Sequence, residues 1–322
     1  MTHEQSATSR KDKVALRTLR RRGALLAIAM VAVVGAGIAR PGASGAESYR
    51  PVTGSGDLQA YVNAYVAKNP GRDSGAYRLP SSTEQNTMRA AWRLVVQGDL
   101  SGAAAASGPL GYQVLRYTDT STNRVIVLLA ERSTKDGKWA RGWGLFGWAT
   151  TARGELFVEV THPVADIDTE DVGVIAFRRA SGRALFVAGA HRQANRDGSA
   201  DVAHRTDAIF HVLHTNSASA SSTVFQPHGY ADETTPEDAV ISRGDLPDDL
   251  AARVASDLRA EAFTVCLYDG ASCSSLAGTT NVQGIVTRRA GGRFLHAEIA
   301  RRIRLDVARR DRLASVISSA VV

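Results

Sequence analysis

The chain has 322 residues, 44% of them hydrophobic, with 39 Lys and Arg against 32 Asp and Glu for a formal charge of +7. The first 46 residues hold 8 of the basic and 2 of the acidic groups, leaving 31 and 30 behind, so the remainder is nearly neutral. That balance carries no nucleic-acid-binding footprint, and the two cysteines are too few for a cysteine-rich zinc module.

The predicted elements follow in chain order. Arg10, Lys11, Lys13, Arg17 and Arg20-Arg21-Arg22 precede the apolar run Ala24 to Ala39, and Ser44-Gly45-Ala46 has the small residues of a cleavage site. This pattern predicts a bacterial-type export signal over 1–46, with an uncleaved N-terminal anchor as the alternative. It places the protein in a secreted or extracytoplasmic setting, with no membrane contact after the leader is cleaved. Residues 47–110 read as a polar lead-in with helices over Asp57–Lys68, from Ser82 to a stop at Gly98, and over Leu100–Ala106.

From residue 111 to 322 the pattern predicts one mixed-sheet domain. Strands over Tyr112–Tyr117, Arg124–Ala130, Gly142–Ala149 and Leu156–Val160, joined by turn-rich loops, predict an antiparallel run. Helix and strand then alternate: Thr169–Arg179, Ala184–Ala188, Ala203–His214, Thr223–Gln226, Pro247–Ala262, Phe263–Tyr268, Phe294–Ile299 and Arg309–Ser319. The expected fold is a three-layer α/β/α sandwich around a mixed, parallel and antiparallel, sheet. Cys266 and Cys273 enclose a short loop, and in an exported chain they are expected to form a local disulfide.

Seven of the eight histidines fall between His162 and His296. His162, His191, His228 and His296 lie on strands or just past them, so parallel neighbouring strands would gather their imidazoles at one sheet edge. His204, His211 and His214 are expected on a helix, as structural or solvent-facing groups. A hydrolytic zinc needs three protein ligands, a base for its water and cations for the substrate's oxygens. His162, His228 and Asp166, with Asp168 in reserve, are the candidate ligands, and Glu298 the candidate base. Arg192 and Arg304 are the candidate cations. Glu298 lies in the apolar run Phe294 to Ile299 and needs a partner there, either an arginine or a site water. His296, two residues earlier on the same strand face, and His191 are candidates to orient the site from behind. No Gly-x-Ser-x-Gly elbow supports a serine hydrolase.

The order His162-x-x-x-Asp166-x-x-Thr169, His228-Gly229-Tyr230, Asn281-x-x-Gly284 and Phe-Leu-His-Ala-Glu298 with Arg304 six residues on resembles the poly-γ-glutamate hydrolases. These are distant relatives of the zinc carboxypeptidases, and the resemblance covers about residues 156–305. It implies zinc on His162, Asp166 and His228 with Glu298 as general base. The chain departs from the family pattern after His162, where Pro163-Val164-Ala165 replaces a longer glycine turn and Asp replaces Glu. The expected function is an exported zinc-dependent amidohydrolase or peptidase acting on a small peptide-like or polymeric amide substrate. The alternative is a secreted, non-catalytic zinc-binding or ligand-binding module on the same scaffold.

Overall fold

A computed structural model describes residues 49–321; the expected export leader over 1–46 lies outside them. Among the described residues one sheet has ten strands: β1 (Val52–Gly56), β2 (Tyr112–Asp119), β3 (Arg124–Glu131), β4 (Leu145–Ala149), β5 (Leu156–Val160), β6 (Ala184–Val187), β7 (Thr223–Tyr230), β8 (Ala239–Ser242), β9 (Val265–Leu267) and β10 (Arg293–Ala300). Their spatial order is β1-β2-β3-β4-β6-β5-β7-β10-β8-β9. β2, β3, β4 and β6 pair antiparallel in turn, whereas β6, β5, β7 and β10 run parallel through the centre. The mixed α/β sheet read from the sequence is therefore what the chain forms, except that β5 does not continue the expected antiparallel run: β4 pairs with β6, and β5 runs parallel between β6 and β7.

Strand alternation divides the apolar residues between two cores. In β3, Ile126 and Leu128 face one core and Val127 and Leu129 the other; in β5, Leu156, Val158 and Val160 oppose Phe157. Helices α1 (Leu58–Val66), α4 (Thr169–Arg179), α6 (Asp249–Ala260) and α9 (Val307–Ala320) cover the first face. Helices α2 (Ser82–Gln97), α3 (Leu100–Ser107) and α5 (Ile209–His214) cover the second, and α7 (Val282–Arg289) packs beside α5 and β10 on that side. Short α8 (Arg301–Leu305) follows β10 directly. Helix α2 starts on a capping box made by Ser81 and Glu84, one residue before the expected start, and its C-cap is Gly98.

Residues 52–107 join this same sheet and its cores, β1 pairing with β2 and α1 to α3 packing on the two faces. Cys266 and Cys273 are bonded, as expected. No helix among the described residues is long and apolar enough to cross a membrane. The expected helix over 203–214 is broken. A turn at Val202–His204 ends where Arg205 turns extended and pairs with Asp207, and α5 begins only at Ile209.

The topology positions the site. β5 leads through α4 to β6 on one side, and β6 leads through α5 on the opposite face to β7 on the other. The strand order therefore reverses between β5 and β7, and a crevice opens past their carboxyl ends. Register widens it. β7 pairs with β5 only over Thr223 to Phe225, whereas its ladder with β10 runs on to Tyr230. Pro227, which has no N–H, lies just beyond the point where pairing with β5 stops.

Close packing of α4 on β5 depends on Gly173, where an added Cβ would come within 2.6 Å of a Val160 methyl. Gly173→Ala should lift α4 off the strand that delivers His162. A loss of about 1–3 kcal/mol is expected, read as a lowered midpoint in thermal or urea unfolding.

Candidate metal centre

Three parallel strands deliver the groups that meet in the crevice. His162 follows the end of β5 by two residues and begins a turn in which the Asp166 N–H donates to the His162 carbonyl at 2.8 Å. That turn folds the Asp166 carboxylate back onto its own histidine, with Oδ2 3.4 Å from His162 Nδ1. His228, on β7, brings its Nδ1 to 3.6 Å from the same oxygen. Glu298 stands beside His228 in the ladder between β7 and β10, and His296 stands beside Gln226. The imidazoles of His228 and His296 lie 4.4 Å apart between ring centres, and those of His162 and His228 4.9 Å.

Burial and charge set the proton affinities. Burial alone would push the His162 imidazole down, but Asp166 and Asp201 on its two nitrogens raise it to about 9. Against the same desolvation, His162 and His228 hold the Asp166 carboxyl well below the usual range. Burial lowers His228, and it drives His296 far below an ordinary histidine, with His228 adding to the effect. Glu298 is raised to about 8 by burial and then by the nearby Asp166 charge, which His162, Arg192 and Arg304 only partly offset. Its Oε2 has no hydrogen-bond partner, and His296 Nε2 is 4.0 Å from Oε1, too long for a hydrogen bond. The arginine partner considered from the sequence is absent from its ion pairs.

The donor set fits a metal ion. His162 Nδ1 is buried without a hydrogen-bond partner, although its Nε2 is held by Asp201 Oδ1 at 2.8 Å. An imidazole tied at one nitrogen with the other left bare is the usual state of a metal ligand. Ligand atoms on a tetrahedral zinc with bonds of about 2.0–2.1 Å lie roughly 3.4 Å apart, close to the 3.4 and 3.6 Å separations around Asp166 Oδ2. His162, Asp166 and His228 form one group able to hold a metal ion, and His228, His296 and Glu298 form a second that shares a residue with it.

The remaining sequence candidates fall around this centre. Asp168 takes a left-handed conformation (φ 67°) just before α4 and belongs to neither group. His191 Nδ1 accepts the Gln193 N–H at 2.9 Å within its own turn, and it too belongs to neither. Arg192 lies on the cavity wall with an Nη atom 3.0 Å from Asp201 Oδ2. Arg304 is buried and donates to three carbonyls, those of Ile299, Ile167 and Tyr230. Its guanidinium crosses Gly229, where an added Cβ would sit 2.4 Å from Arg304 Cζ. That crossing explains why a glycine follows His228.

Several functional residues were missed by sequence reasoning. Asp201 was not singled out, yet its two oxygens hold His162, Arg192 and His204. His204 was expected on a helix and instead faces the cavity from the turn before it. In the sequence Glu159 is one residue of the strand Leu156–Val160, and Gln226 the end of a different one, Thr223–Gln226. Both are fully buried, with Gln226 Nε2 donating to Glu159 Oε2 at 2.8 Å and Glu159 Oε1 paired with His214 Nδ1 at 2.7 Å. A Glu inside the apolar run of β5 was the available signal. The wall opposite the ligands comes from Ser274, Ser275, Leu276 and 278–281, enclosing about 170 Å³.

No protein-family model matches the chain, and no curated protein sequence matches it. Solved structures do resemble it. A bacteriophage poly-gamma-glutamate hydrolase aligns at 15% identity and a TM-score of 0.35, over 52% of this chain and 84% of that one. An N-formylglutamate amidohydrolase from Ralstonia eutropha aligns at 13% and 0.35 over 53% and 93%. A metallo-carboxypeptidase from Pseudomonas aeruginosa aligns at 14% and 0.34 over 76% and 69%. These are likenesses of partial coverage, and what the chain does is read from its own residues.

Because a metal must displace the proton that holds His162 near 9, its apparent affinity should climb with pH. The gain levels off above about 9 and is steeper than tenfold per unit below about 8, where Glu298 gives up its proton as well. Calorimetric titration with zinc in buffers of different ionisation heat should register nearly two protons released per ion near neutrality, one from His162 and one from Glu298. A pH-independent affinity between 6 and 8 would show that His162 is not a ligand.

Proposed function

We propose that the chain is an exported zinc-dependent hydrolase of amide bonds in a peptide-like or γ-glutamyl-like substrate. The observation that carries this reading is the meeting of His162 Nδ1 and His228 Nδ1 on one Asp166 oxygen, beside the half-buried Glu298, whose buried Oε2 has no partner. Two imidazoles and one carboxylate are a common ligand set for a hydrolytic zinc, which acidifies water and polarises a carbonyl when bound.

The chain's own groups supply the rest. Glu298 is the base. Its raised proton affinity suits it to take a proton from an attacking water and hand it to the departing amine nitrogen. A cation placed beside it would return it to the carboxylate form in which it can accept that proton. Arg192 is the cation on the cavity wall able to meet a substrate carboxylate or a developing oxyanion. Arg304, spent on three carbonyls, serves by fastening the strand ends that carry the other groups. His296 packs against His228 and Glu298 as a neutral imidazole that limits how both can move. The export part of the reading rests on the leader pattern and on the Cys266–Cys273 bond, which suits an oxidising compartment.

Elemental analysis of the native chain and His228→Ala, together with turnover of Glu298→Gln on a panel of amide substrates, tests this function. The native chain should carry about one zinc, and His228→Ala should lose it. Glu298→Gln should keep the metal while its turnover falls about 10²- to 10⁴-fold. A folded native chain that stays metal-free after dialysis against zinc would sink the hydrolase reading. Bound zinc with no turnover on any amide would make the chain a binding module instead.

A further inference from the structure

Two consecutive residues on the cavity wall each reach a ligand histidine through a short hydrogen-bonded chain. Asn281 Nδ2 donates to Gln226 Oε1 at 2.6 Å, and that oxygen lies 3.3 Å from His228 Nε2. Thr280 Oγ1 bonds His204 Nε2 at 3.1 Å. His204 Nδ1 bonds Asp201 Oδ2 at 3.1 Å, and Asp201 Oδ1 holds His162 Nε2 at 2.8 Å.

The orientation of Gln226 follows from its neighbours. Glu159, paired with His214, only accepts, so the Gln226 amide nitrogen must face it and the amide oxygen must face Asn281 and His228. Asn281 is oriented in turn because its Oδ1 accepts the Gly284 N–H at 2.9 Å as the cap of α7. The Gln226 oxygen can only accept, so His228 Nε2 carries the hydrogen, with the Thr161 hydroxyl 3.1 Å away as a second acceptor, and the lone pair is left on Nδ1, the atom facing Asp166. On the other arm, His204 donates to Asp201 from Nδ1 and so accepts the Thr280 hydroxyl at Nε2.

We infer that Thr280 and Asn281 are positioning residues that hold both imidazole ligands in their metal-binding tautomers from the opposite wall of the cavity. The inference rests on the metal-centre reading given above. The wall is itself anchored. Cys273, bonded to Cys266 on β9, opens the segment, and Ser242 Oγ donates to the Ala277 carbonyl at 2.5 Å. The geometry of the ligands is thus tied to the segment that borders the substrate.

Three variants of the full chain test this. Asn281→Asp keeps an oxygen for the α7 cap and turns the donor toward Gln226 into an acceptor. Asn281→Ser keeps a capping hydroxyl and shortens the side chain away from Gln226. Thr280→Val removes the hydroxyl at constant shape. The readouts are zinc affinity by chelator competition and, on the metal-free chain, ring-nitrogen NMR of His228.

The native chain should show one His228 tautomer protonated at Nε2. Asn281→Asp, which sets an acceptor against the Gln226 oxygen, should lose that single tautomer. Asn281→Ser, in which Glu159 still holds the Gln226 nitrogen but the oxygen is no longer steadied, should broaden it. Both should bind zinc about 10- to 100-fold more weakly, the usual loss on removing a partner behind a ligand. Thr280→Val should bind more weakly with the His228 signal unchanged. Asn281→Ser decides if the aspartate variant fails to fold. Native affinity and an unchanged tautomer in Asn281→Ser would overturn the inference with the metal centre intact. A native chain that binds no zinc would overturn the metal centre and this inference with it.

Discussion

Everything at the mouth of the sheet depends on one carboxylate oxygen placed between two imidazoles. Asp166 Oδ2 lies within 3.6 Å of both His162 and His228, in surroundings that exclude most water. Such an arrangement is stable only with a proton or a metal ion among the three groups, because converging lone pairs repel. Without metal, a proton on His162 serves, which is why that histidine is held near 9. The same field acts on Glu298, whose carboxyl is pushed toward neutrality by burial and by Asp166. A metal ion would invert both effects at once, freeing the imidazole and ionising the base.

The supports behind the ligands differ in kind. His162 is backed directly by a carboxylate, Asp201, which also holds Arg192 and His204. His228 is backed by the Gln226 amide and the Thr161 hydroxyl, with Glu159 one residue further back and bonded to His214. A histidine leaning on a carboxylate is the more basic ligand. Placing the stronger donor at the end of β5 and the weaker on β7 puts the extra negative charge beside Arg192, away from Glu298 on β10.

Much of this was legible in the chain before any coordinates. The run Leu156–Val160 and the helix Thr169–Arg179 form with the expected bounds, because strong local patterns agree with their tertiary setting. The clustering of histidines past strand ends pointed to the crevice, since side chains beyond parallel strands converge only there. Other features were hidden for physical reasons. β1 is Val-Thr-Gly-Ser-Gly, weak as a strand alone and held by pairing with β2. β7 runs past Pro227 because β10 supplies a continuous ladder there, so His228 sits within a strand instead of beyond it. The β-branched helix α7 is started by the Asn281 cap. Asp201 belongs to no motif. It becomes functional only when the fold sets it against a histidine 39 residues away in sequence.

Arg304 has a consequence for how the crevice can move. Its guanidinium joins the Ile167 carbonyl in the Asp166 turn, the Tyr230 carbonyl at the end of β7 and the Ile299 carbonyl near the end of β10. The three segments bearing Asp166, His228 and Glu298 are therefore pinned to one another by a single buried side chain. Only Gly229 leaves room for it to pass. The crevice is thus unequal in stiffness, with a floor that shifts as one piece or not at all. Accommodation of guests of different size falls to the facing segment, whose tether is a covalent bond at the sheet's outer strand.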